Sequence, residues 1–392
     1  MHAPQSVLLV TRRWARDGGV GAHAIASAGA LAAYGLGVDV LAARIEPEES
    51  VAGVTVHERP ALFDIDAPIE ARLGAMPACT PDAVHVHQLD DPEIVQALRA
   101  VAPVVVSAHG YTACTSGMYY FRPGHECTRA HGPACGPNLL ARGCAHTRQP
   151  QTLPAAYKRT TRELQALRHA DLVVAYSSAV DRHLAHNNLP RRRVVPLFST
   201  MQPKIGSGHE GRRRVVFAGR LAAPKGLDVL LRAAREVDGE FVICGDGWRL
   251  EPSRKLARKL GIEPRVTFKG WLSADELAQE LADASVVVVP SLWPEPFGLI
   301  GIEAFAAGRP VVASATGGIA DWLEDGVSGL LVEPGDAPAL ARTLDQLLAD
   351  SARQRAMGAA GQQTVARRFT ARTHVAALLD GYREARLHWE AD

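Results

Sequence analysis

Two glutamates, Glu295 and Glu303, are separated by seven residues in the stretch "PEPFGLIGIEAFAAGRPVVAS", which is otherwise almost free of charge. A carboxylate can accept two hydrogen bonds from a vicinal diol such as that of a ribose, so these acids suit a ligand rich in hydroxyl groups. The alternative is structural, with Glu303 an exposed helix residue and Glu295 a loop charge. The proline and glycine residues around the pair place it at a loop-to-helix junction and favour ligand binding.

Two cations occupy a comparable position earlier in the chain. Arg220 and Lys225 follow a predicted strand that ends at Gly219, in the loop "GRLAAPKG". Open α/β sheets bind anions at the carboxyl ends of their strands, where helix N-termini expose backbone N–H groups. Two cations at a strand end therefore suit a diphosphate. Solvated loop charges are an equal alternative, because isolated Lys and Arg are common on protein surfaces.

Two further predicted strands end in glycine turns. Gly245 lies in the turn "CGDG", and Gly270 precedes Trp271. An indole at a strand end can stack on a nucleobase, although ordinary packing is the commoner role of a single tryptophan. Each of these motifs is weak by itself.

The elements that must position these residues follow one pattern. Short β-branched runs alternate with longer Ala-, Leu- and Arg-rich stretches, as in parallel sheets covered by helices on both faces. The first half predicts helices over 22–34 and 92–101. Its predicted strands are 6–10, 38–42, 83–87, 103–109 and 171–177. The second half predicts strands over 213–219, 240–245, 265–270, 285–290 and 310–314.

These two series predict an α/β protein with two doubly wound Rossmann-like domains that face each other across a cleft, the default ligand site. At 392 residues the chain is too long for one ordinary core. We expect an N-terminal domain over 1–203, a C-terminal domain over 204–370, and a helical tail over 371–392 that can cross back to the N-terminal domain. The linker is the Pro-, Gly- and Ser-containing segment 199–212.

The chain places the two glutamates at the mouth of that cleft. The loop after the strand 285–290 leads into a helix predicted from about Leu299 to Ala307, which Gly308 terminates. Glu295 is then on the loop, and Glu303 is on the second turn of the helix.

The bulk composition excludes several classes of partner. Lys+Arg number 43 and Asp+Glu 42, so a net charge of +1 provides no general attraction to nucleic acid or an acidic membrane. The apolar run 7–10 near the N-terminus is too short for a signal peptide or membrane span. We expect a cytoplasmic protein with at most a peripheral membrane contact. The basic run Arg191, Arg192 and Arg193 fits an anionic lipid carrier, although a solvated charge run is favoured.

Four of the six cysteines cluster in an insertion over residues 110–150. Cys114, Cys127, Cys135 and Cys144 have twelve, seven and eight residues between them, without a C-x2-C pair. Structural zinc held by thiolates is favoured for a cytosolic protein, with two disulfides or four reduced thiols as alternatives. Nearby histidines at 125, 131 and 146 are substitute ligands.

The motifs together resemble a known family. "EPFGLIGIEAFAAGRPVVAS" followed by "GGIADWLEDGVSGLLVEPGD" is similar to the E-x7-E region of the retaining, family 4 type glycosyltransferases of the GT-B fold. "FAGRLAAPKGLDVLLRA" resembles their phosphate-contacting segment. "DGGVGAHAIASAGALAAYGLGVDVLA" and "ADLVVAYSSAV" resemble their N-terminal domain, and the cysteine insertion resembles that of one subset. The resemblance covers nearly the whole chain in the same order.

The resemblance implies a role for each matching residue. Glu303 would hold the ribose of a nucleotide sugar, Glu295 would contact the transferred sugar, and Arg220 and Lys225 would neutralise the diphosphate leaving group. His109, at the end of a strand, would face the donor sugar, although by itself it fits a satisfied core histidine equally well. The remaining donor-binding residues implied by the resemblance are Gly18, Gly19, Gly219, Gly245, Trp271, Leu272, Phe297, Gly298 and Leu299.

The implied reaction moves a sugar from a nucleotide-diphosphate donor to an acceptor hydroxyl with retention of anomeric configuration. Fixed cations and helix N-terminal dipoles stabilise the leaving diphosphate, so a catalytic metal is not required. A UDP-sugar is the expected donor, and the acceptor is a carbohydrate, a lipid-linked molecule or a small molecule, in polysaccharide or glycoconjugate biosynthesis. The alternatives are a nucleotide-sugar epimerase or hydrolase and a non-catalytic nucleotide-sugar-binding protein. A dehydrogenase is disfavoured because the first strand leads to "TRRWARDGGVG" and not to a compact G-x-G-x-x-G.

Overall fold

The computed structural model describes residues 4–16, 18–46, 49–74, 80–87, 91–115, 117–118, 126–141, 144, 150–202, 204 and 213–392. These residues form two compact units. Unit 1 comprises 1–117, 128–196 and 371–392, and unit 2 comprises 118–127 and 197–370. Of the predicted linker 199–212, residues 203 and 205–212 lie outside the described part.

Unit 1 is built on a parallel sheet of seven strands within the described residues, in the order β3-β2-β1-β4-β5-β6-β7. Strand order reverses direction between β1 and β4, which creates the switch point where doubly wound sheets bind ligands. The strands are β1 (Ser6–Trp14), β2 (Gly37–Ile45), β3 (Val54–Glu58), β4 (Ala83–Val86), β5 (Val104–Ala108), β6 (Leu172–Ala175) and β7 (Arg192–Val194). The helices are α1 (Gly19–Ala33), α2 (Ile69–Leu73), α3 (Pro92–Arg99), α4 (Cys135–Ala141), α5 (Leu153–His169) and α6 (Ser178–His186).

Unit 2 repeats this plan with a parallel sheet of six described strands, in the order β10-β9-β8-β11-β12-β13. Its strands are β8 (Arg214–Ala218), β9 (Glu240–Cys244), β10 (Val266–Gly270), β11 (Val286–Val289), β12 (Val311–Ser314) and β13 (Gly329–Val332). Its helices are α7 (Leu227–Ala233), α8 (Leu250–Lys259), α9 (Ala274–Ala282), α10 (Leu299–Ala306), α11 (Ala337–Ala349) and α12 (Ser351–Arg368).

The C-terminal segment is one helix, α13 (Ala371–Ala391), and it belongs to unit 1. Its Trp389 donates from Nε1 to the carbonyl of Arg99 at 2.7 Å, and Tyr382 is 1% exposed in the core. The last residues of the chain therefore complete the core of the N-terminal unit.

The predicted fold class, two doubly wound α/β domains, is confirmed. All ten predicted strands are present within a few residues of their predicted limits, and the predicted helix at 299 begins at that residue. Strands β3, β7 and β13 were not predicted. All three are sheet edges with partly polar or half-buried sequences, so they lack the continuous apolar run of a central strand. The predicted cleft between the domains stays a prediction.

The basic run forms part of β7 and the turn before it, and its charges are paired within unit 1. Arg191 bonds to Asp392 at 2.9 Å, Arg192 bonds to Asp181 at 3.0 Å, and Arg193 pairs with Glu384 at 2.7 Å. This pairing argues against the anionic lipid carrier as its partner. In the described part of the chain, no helix is both long and apolar enough to cross a membrane; the cytoplasmic location stays a prediction.

Candidate functional site

Three neighbouring strands of unit 2 end in glycines with positive φ. These are Gly219 (151°), Gly245 (134°) and Gly270 (72°). The Gly219 N–H donates to the carbonyl of Cys244 at 3.0 Å, and the Gly245 N–H donates to the carbonyl of Gly270 at 2.7 Å. A Cβ on Gly245 would lie 2.0 Å from the carbonyl oxygen of Gly219. Only glycine allows the two backbones to approach this closely.

A cavity of about 150 Å³ lies beside these strand ends. Its lining is mostly apolar, with one carboxylate among the lining residues, and it includes the indole of Trp271, which is 67% exposed. Such a slot can hold a planar base while a carboxylate binds a diol. The lining residues are Ala218, Gly219, Cys244, Gly245, Trp271, Leu272, Leu277, Ile300 and Glu303. Five predicted donor-binding residues are thus brought together, and the four lining residues that were not predicted are Ala218, Cys244, Leu277 and Ile300.

Glu303 is the carboxylate of this cavity. It lies on the second turn of α10, as predicted. Burial raises the pKa of Glu303 to about 7, and no cation or hydrogen-bond donor in the described chain offsets that rise. A half-buried carboxylate without a protein partner is costly to keep charged. It is therefore well suited to accept hydrogen bonds from a ligand.

Glu295 has the opposite environment. It is 3% exposed and accepts hydrogen bonds from Lys225 Nζ at 2.7 Å and from Ser291 Oγ at 2.6 Å. Burial alone would raise the pKa of Glu295, but the charge of Lys225 and the two hydrogen bonds outweigh it and hold the pKa below its ordinary value. Its backbone is also held, because the Gly318 N–H donates to the Glu295 carbonyl at 2.7 Å.

The two predicted phosphate-binding cations lie on the loop after β8. Arg220 is exposed directly after Gly219. Lys225 ends a short 3-10 turn, and its ammonium lies 5.6 Å from the centre of the Trp293 ring in addition to its bond with Glu295. The side chain of Lys225 is 26% exposed, so it can contact a ligand while remaining paired. Their proposed contact with a diphosphate stays a prediction.

The N-terminus of α10 is rigidly held. Gly298 caps the helix with a φ of 90°, and the carbonyl of Phe297 accepts a hydrogen bond from Trp322 Nε1 at 2.6 Å. A Cβ on Gly301 would lie 2.1 Å from the Trp322 ring, so the indole fits only against a glycine. The N–H groups of Leu299 and Ile300 lie at the positive dipole end of the helix, while the Gly301 N–H donates to the Gly298 carbonyl at 3.0 Å. Trp322 was not predicted, although it lies in a segment that carries the family resemblance.

In unit 1, His109 follows β5 and lines a cavity of about 440 Å³. Its Nε2 lies 3.1 Å from Nδ1 of His87. Burial lowers the pKa of His109 to about 3, so its ring is neutral at pH 7. His87 was not predicted, although it ends the strand segment "AVHVH". The other lining residues are Arg12, Val20, Val106, Ser107, Thr112, Arg159, Glu163 and Leu167.

Gly18 and Gly19, which the family resemblance assigns to a loop that closes on the phosphates, begin α1. Gly18 is the N-cap residue in an extended conformation, and Gly19 is the first helical residue. A Cβ on either would meet no atom within 4 Å. Both positions are therefore open enough for a ligand to approach their backbone.

The cysteine-containing insertion is only partly described. Cys114, Cys127, Cys135 and Cys144 are each half-buried. Among the residues that the structure describes, no three or more His, Cys, Asp and Glu side chains form a group that could hold a metal ion. Two of the substitute ligands, the histidines at 125 and 146, lie outside the described residues, and the zinc assignment stays a prediction. His131 is described, and its Nε2 bonds to Thr161 at 2.9 Å.

Two family profiles match the chain in succession. The profile described as Glycosyltransferase Family 4 matches residues 17–197. The profile described as Glycosyl transferases group 1 matches residues 201–364. The first therefore covers most of unit 1 and the second most of unit 2.

Individual relatives align over part of their length. A D-inositol 3-phosphate glycosyltransferase from Salinispora tropica is 43% identical over 185 residues, which is 44% of this chain and 38% of that protein. A GDP-mannose-dependent alpha-(1-6)-phosphatidylinositol monomannoside mannosyltransferase from Mycolicibacterium smegmatis is 36% identical over 200 residues, which is 47% of this chain and 52% of that protein. The chain thus spans about half or less of these curated relatives.

The fold has solved counterparts. The Anabaena protein HepE, solved in complex with UDP and glucose, superimposes with a TM-score of 0.70 at 19% identity, covering 96% of this chain and 98% of that protein. At this identity the likeness establishes the GT-B fold and no more.

Proposed function

We propose that this chain, which the Glycosyltransferase Family 4 and Glycosyl transferases group 1 profiles match in succession, transfers a sugar from a nucleotide-diphosphate donor to an acceptor hydroxyl. The transfer retains the anomeric configuration and needs no catalytic metal. The observation that carries this proposal is the unit 2 cavity, where the unpaired carboxylate of Glu303 lies beside an apolar slot and an exposed indole. A ribose diol supplies the donors that this carboxylate lacks, and a base fills the slot.

The charges of unit 2 suit departure of a nucleoside diphosphate. Negative charge develops on the phosphates as the sugar–phosphate bond breaks, and the cations Arg220 and Lys225 with the N-terminus of α10 stabilise it. Because Lys225 and the N-terminus of α10 are held in place before reaction, they need little reorganisation. Glu295 contacts hydroxyls of the transferred sugar and at the same time orients Lys225.

A UDP-sugar is the proposed donor. HepE is a counterpart solved with UDP, whereas the mannosyltransferase relative is named as GDP-mannose-dependent. The proposed acceptor is a carbohydrate, a lipid-linked molecule or a small molecule, and the cavity of unit 1 that His109 lines is large enough to admit part of it beside the donor sugar.

The test is turnover with a panel of UDP-, GDP- and dTDP-sugars, with and without candidate acceptors, read as nucleoside diphosphate release. We expect slow release without acceptor from one nucleotide class and a loss of about 100-fold or more in Glu303→Ala and Lys225→Ala. Exposed residues of α8 provide matched controls, Glu251→Ala and Lys259→Ala, which should keep wild-type rates. Unchanged release in both site variants would overturn the site assignment, and the anomeric coupling constant of the product tests retention.

Structural zinc at Cys114, Cys127, Cys135 and Cys144 is a separate proposal. It is supported by four thiols within one short insertion, since thiolates are the preferred ligands of structural zinc. Metal analysis of the purified protein should give one zinc per chain, lost in a Cys127→Ser variant. Mass analysis without reductant distinguishes the two alternatives, because two disulfides lower the mass and four thiols leave it unchanged.

A further inference from the structure

The two histidines that line the unit 1 cavity form a hydrogen-bonded pair with a defined polarity. His87 is 3% exposed, and its Nδ1 lies 3.1 Å from Nε2 of His109. We propose that His87 is a positioning residue that donates its Nδ1–H to His109 Nε2, so that His109 keeps its own proton on Nδ1 and meets the ligand as a hydrogen-bond donor. This inference rests on the proposed function only for the identity of that ligand.

The polarity follows from the second nitrogen of His87. His87 Nε2 is buried and has no hydrogen-bond partner in the described chain. A neutral imidazole carries one proton, so a bond donated by His109 would force the proton of His87 onto Nε2. That would bury an N–H group without an acceptor, the rarer kind of unsatisfied group in proteins. Donation by His87 instead leaves only a bare lone pair at Nε2.

The rings of His87 and His109 are both neutral near pH 7. Burial lowers the pKa of His109 to about 3. The pKa of His87 is also far below its ordinary value, because of burial first and then the neighbouring imidazoles. Charging either ring would place a cation among three further histidines, His23, His85 and His374.

Two neighbouring titratable groups of unit 1, His85 and Tyr176, face the pair but have their nitrogens and hydroxyl bonded to other residues. His85 stacks on His87 at 4.4 Å between ring centres, but its Nδ1 bonds to Tyr382 Oη at 2.8 Å and its Nε2 to Ser107 Oγ at 2.7 Å. Tyr176 lies 5.0 Å from the His109 ring centre, and its hydroxyl bonds to Ser107 at 2.6 Å. Arg12, Arg159 and Glu163 line the cavity itself.

The remaining neighbour, His23, has a tautomer that a second chain of bonds determines. His374 Nδ1 must donate to the carbonyl of Pro196 at 2.7 Å, because a carbonyl only accepts. Its bare Nε2 then accepts from the hydroxyl of Ser27 at 3.0 Å, and that oxygen accepts from Nε2–H of His23 at 3.2 Å. His23 therefore has no second proton to donate to His87 or His109.

The consequence concerns the chemistry of His109. A neutral ring with its proton on Nδ1 and its Nε2 lone pair occupied by His87 is not available as a general base. It can donate one hydrogen bond to a sugar hydroxyl, and its contribution does not titrate near pH 6.5.

Direct detection of the tautomer tests this inference. In protein labelled with ¹⁵N-histidine, long-range ¹H–¹⁵N correlation distinguishes the protonated nitrogen of each neutral ring, and His109→Gln assigns the resonance. We expect the Nδ1–H form in the wild-type protein. His87→Asn retains an N–H near the Nδ1 position and should preserve this form, whereas His87→Gln places its amide at the Nε2 position and should lose it.

Kinetics provide the second readout. His87→Gln should lower kcat by about 10- to 100-fold, in the range seen when a supporting partner is removed, with nucleotide affinity unchanged. His87→Asn should remain within about 3-fold of wild type on the same basis. A wild-type His109 protonated at Nε2, or a tautomer unchanged in His87→Gln, would overturn the inference. Absence of turnover with every sugar donor would refute the proposed function while leaving the tautomer result valid.

Discussion

Glu295 and Glu303 are separated by seven residues and yet occupy opposite electrostatic environments. Glu295 is paired with Lys225 and Ser291, which hold its pKa low. Glu303 lines a cavity with no protein partner in the described chain, and burial raises its pKa to about 7. Glu295 therefore has its hydrogen-bond partners before any ligand binds, whereas Glu303 obtains hydrogen-bond donors from the ligand.

Glu295 and Glu303 differ in environment because the first lies on a loop and the second lies on a helix. Glu295 is on a loop that packs against another loop, where a Cβ on Gly317 would lie 2.4 Å from the Glu295 nitrogen. Glu303 is on a helix whose N-terminus is fixed by Trp322. Loop-on-loop packing excludes solvent from Glu295, while the helix exposes Glu303 to the open end of the sheet.

Substitution of Lys225 is expected to cause the largest change in the free energy of unfolding. Lys225→Met leaves the buried carboxylate of Glu295 without its cation, which should lower the free energy of unfolding by about 3 kcal/mol or more. Urea denaturation at pH 7 measures this change, with Lys259→Met as the exposed control. The double variant Lys225→Met/Glu295→Gln should recover much of the loss, because it removes the unpaired charge. A double variant no more stable than the single one would contradict the pairing.

Glu303→Gln should raise the free energy of unfolding above pH 7, whereas Lys225→Met lowers it. The folded protein binds the Glu303 proton more tightly than the unfolded chain, so wild-type stability falls as pH rises from about 4.5 through 7. The variant lacks this titration and should be more stable than wild type at pH 8, by about 3 kcal/mol at most, with little difference at pH 4. Melting temperatures at the two pH values measure it. If Glu303→Gln were equally destabilised at pH 4 and pH 8, Glu303 and Glu295 would not differ in their electrostatic environments as described.

The smallest expected effect is a change of nucleotide affinity with pH. Between pH 8 and pH 6 Glu303 takes up a proton, and the neutral acid accepts hydrogen bonds from a diol less well. Nucleotide affinity should therefore weaken by about 10-fold over this range, as expected for one group titrating near pH 7. Titration calorimetry with UDP measures the trend, and Glu303→Gln should remove it. A pH-independent affinity in the wild-type protein would exclude Glu303 from the contact.

Local patterns predicted much of the donor site. Gly219, Gly245 and Trp271 follow three separate strands, and Glu303 lies on the helix that follows a fourth. They line one cavity because parallel strands end at the same edge of a sheet. The start of α10 followed from the glycine before it. The pairing of Lys225 with Glu295 was not predictable, because it joins residues 70 positions apart whose charges fit several partners.

The histidine pair was missed for a similar reason. "AVHVH" reads as a buried strand, and nothing in its neighbourhood indicates that His87 meets His109 or that Ser27 is bonded to His374, 347 residues away in sequence. The same applies to the arginine run, whose charges are neutralised by Asp392, Asp181 and Glu384. Side-chain partners at long range depend on how helices such as α13 return to the sheet.

The amino-acid sequence by itself determined two doubly wound domains, the order of their strands along the chain and the strand ends that carry glycines, cations and acids. Periodicity and turn residues encode these features locally. Only the tertiary structure decided which charges neutralise each other, which carboxylate remains available to a ligand and which proton each histidine holds. Those properties depend on burial and on distances of a few ångströms between residues far apart in sequence, because the energy of a charge or hydrogen bond is set by its surroundings.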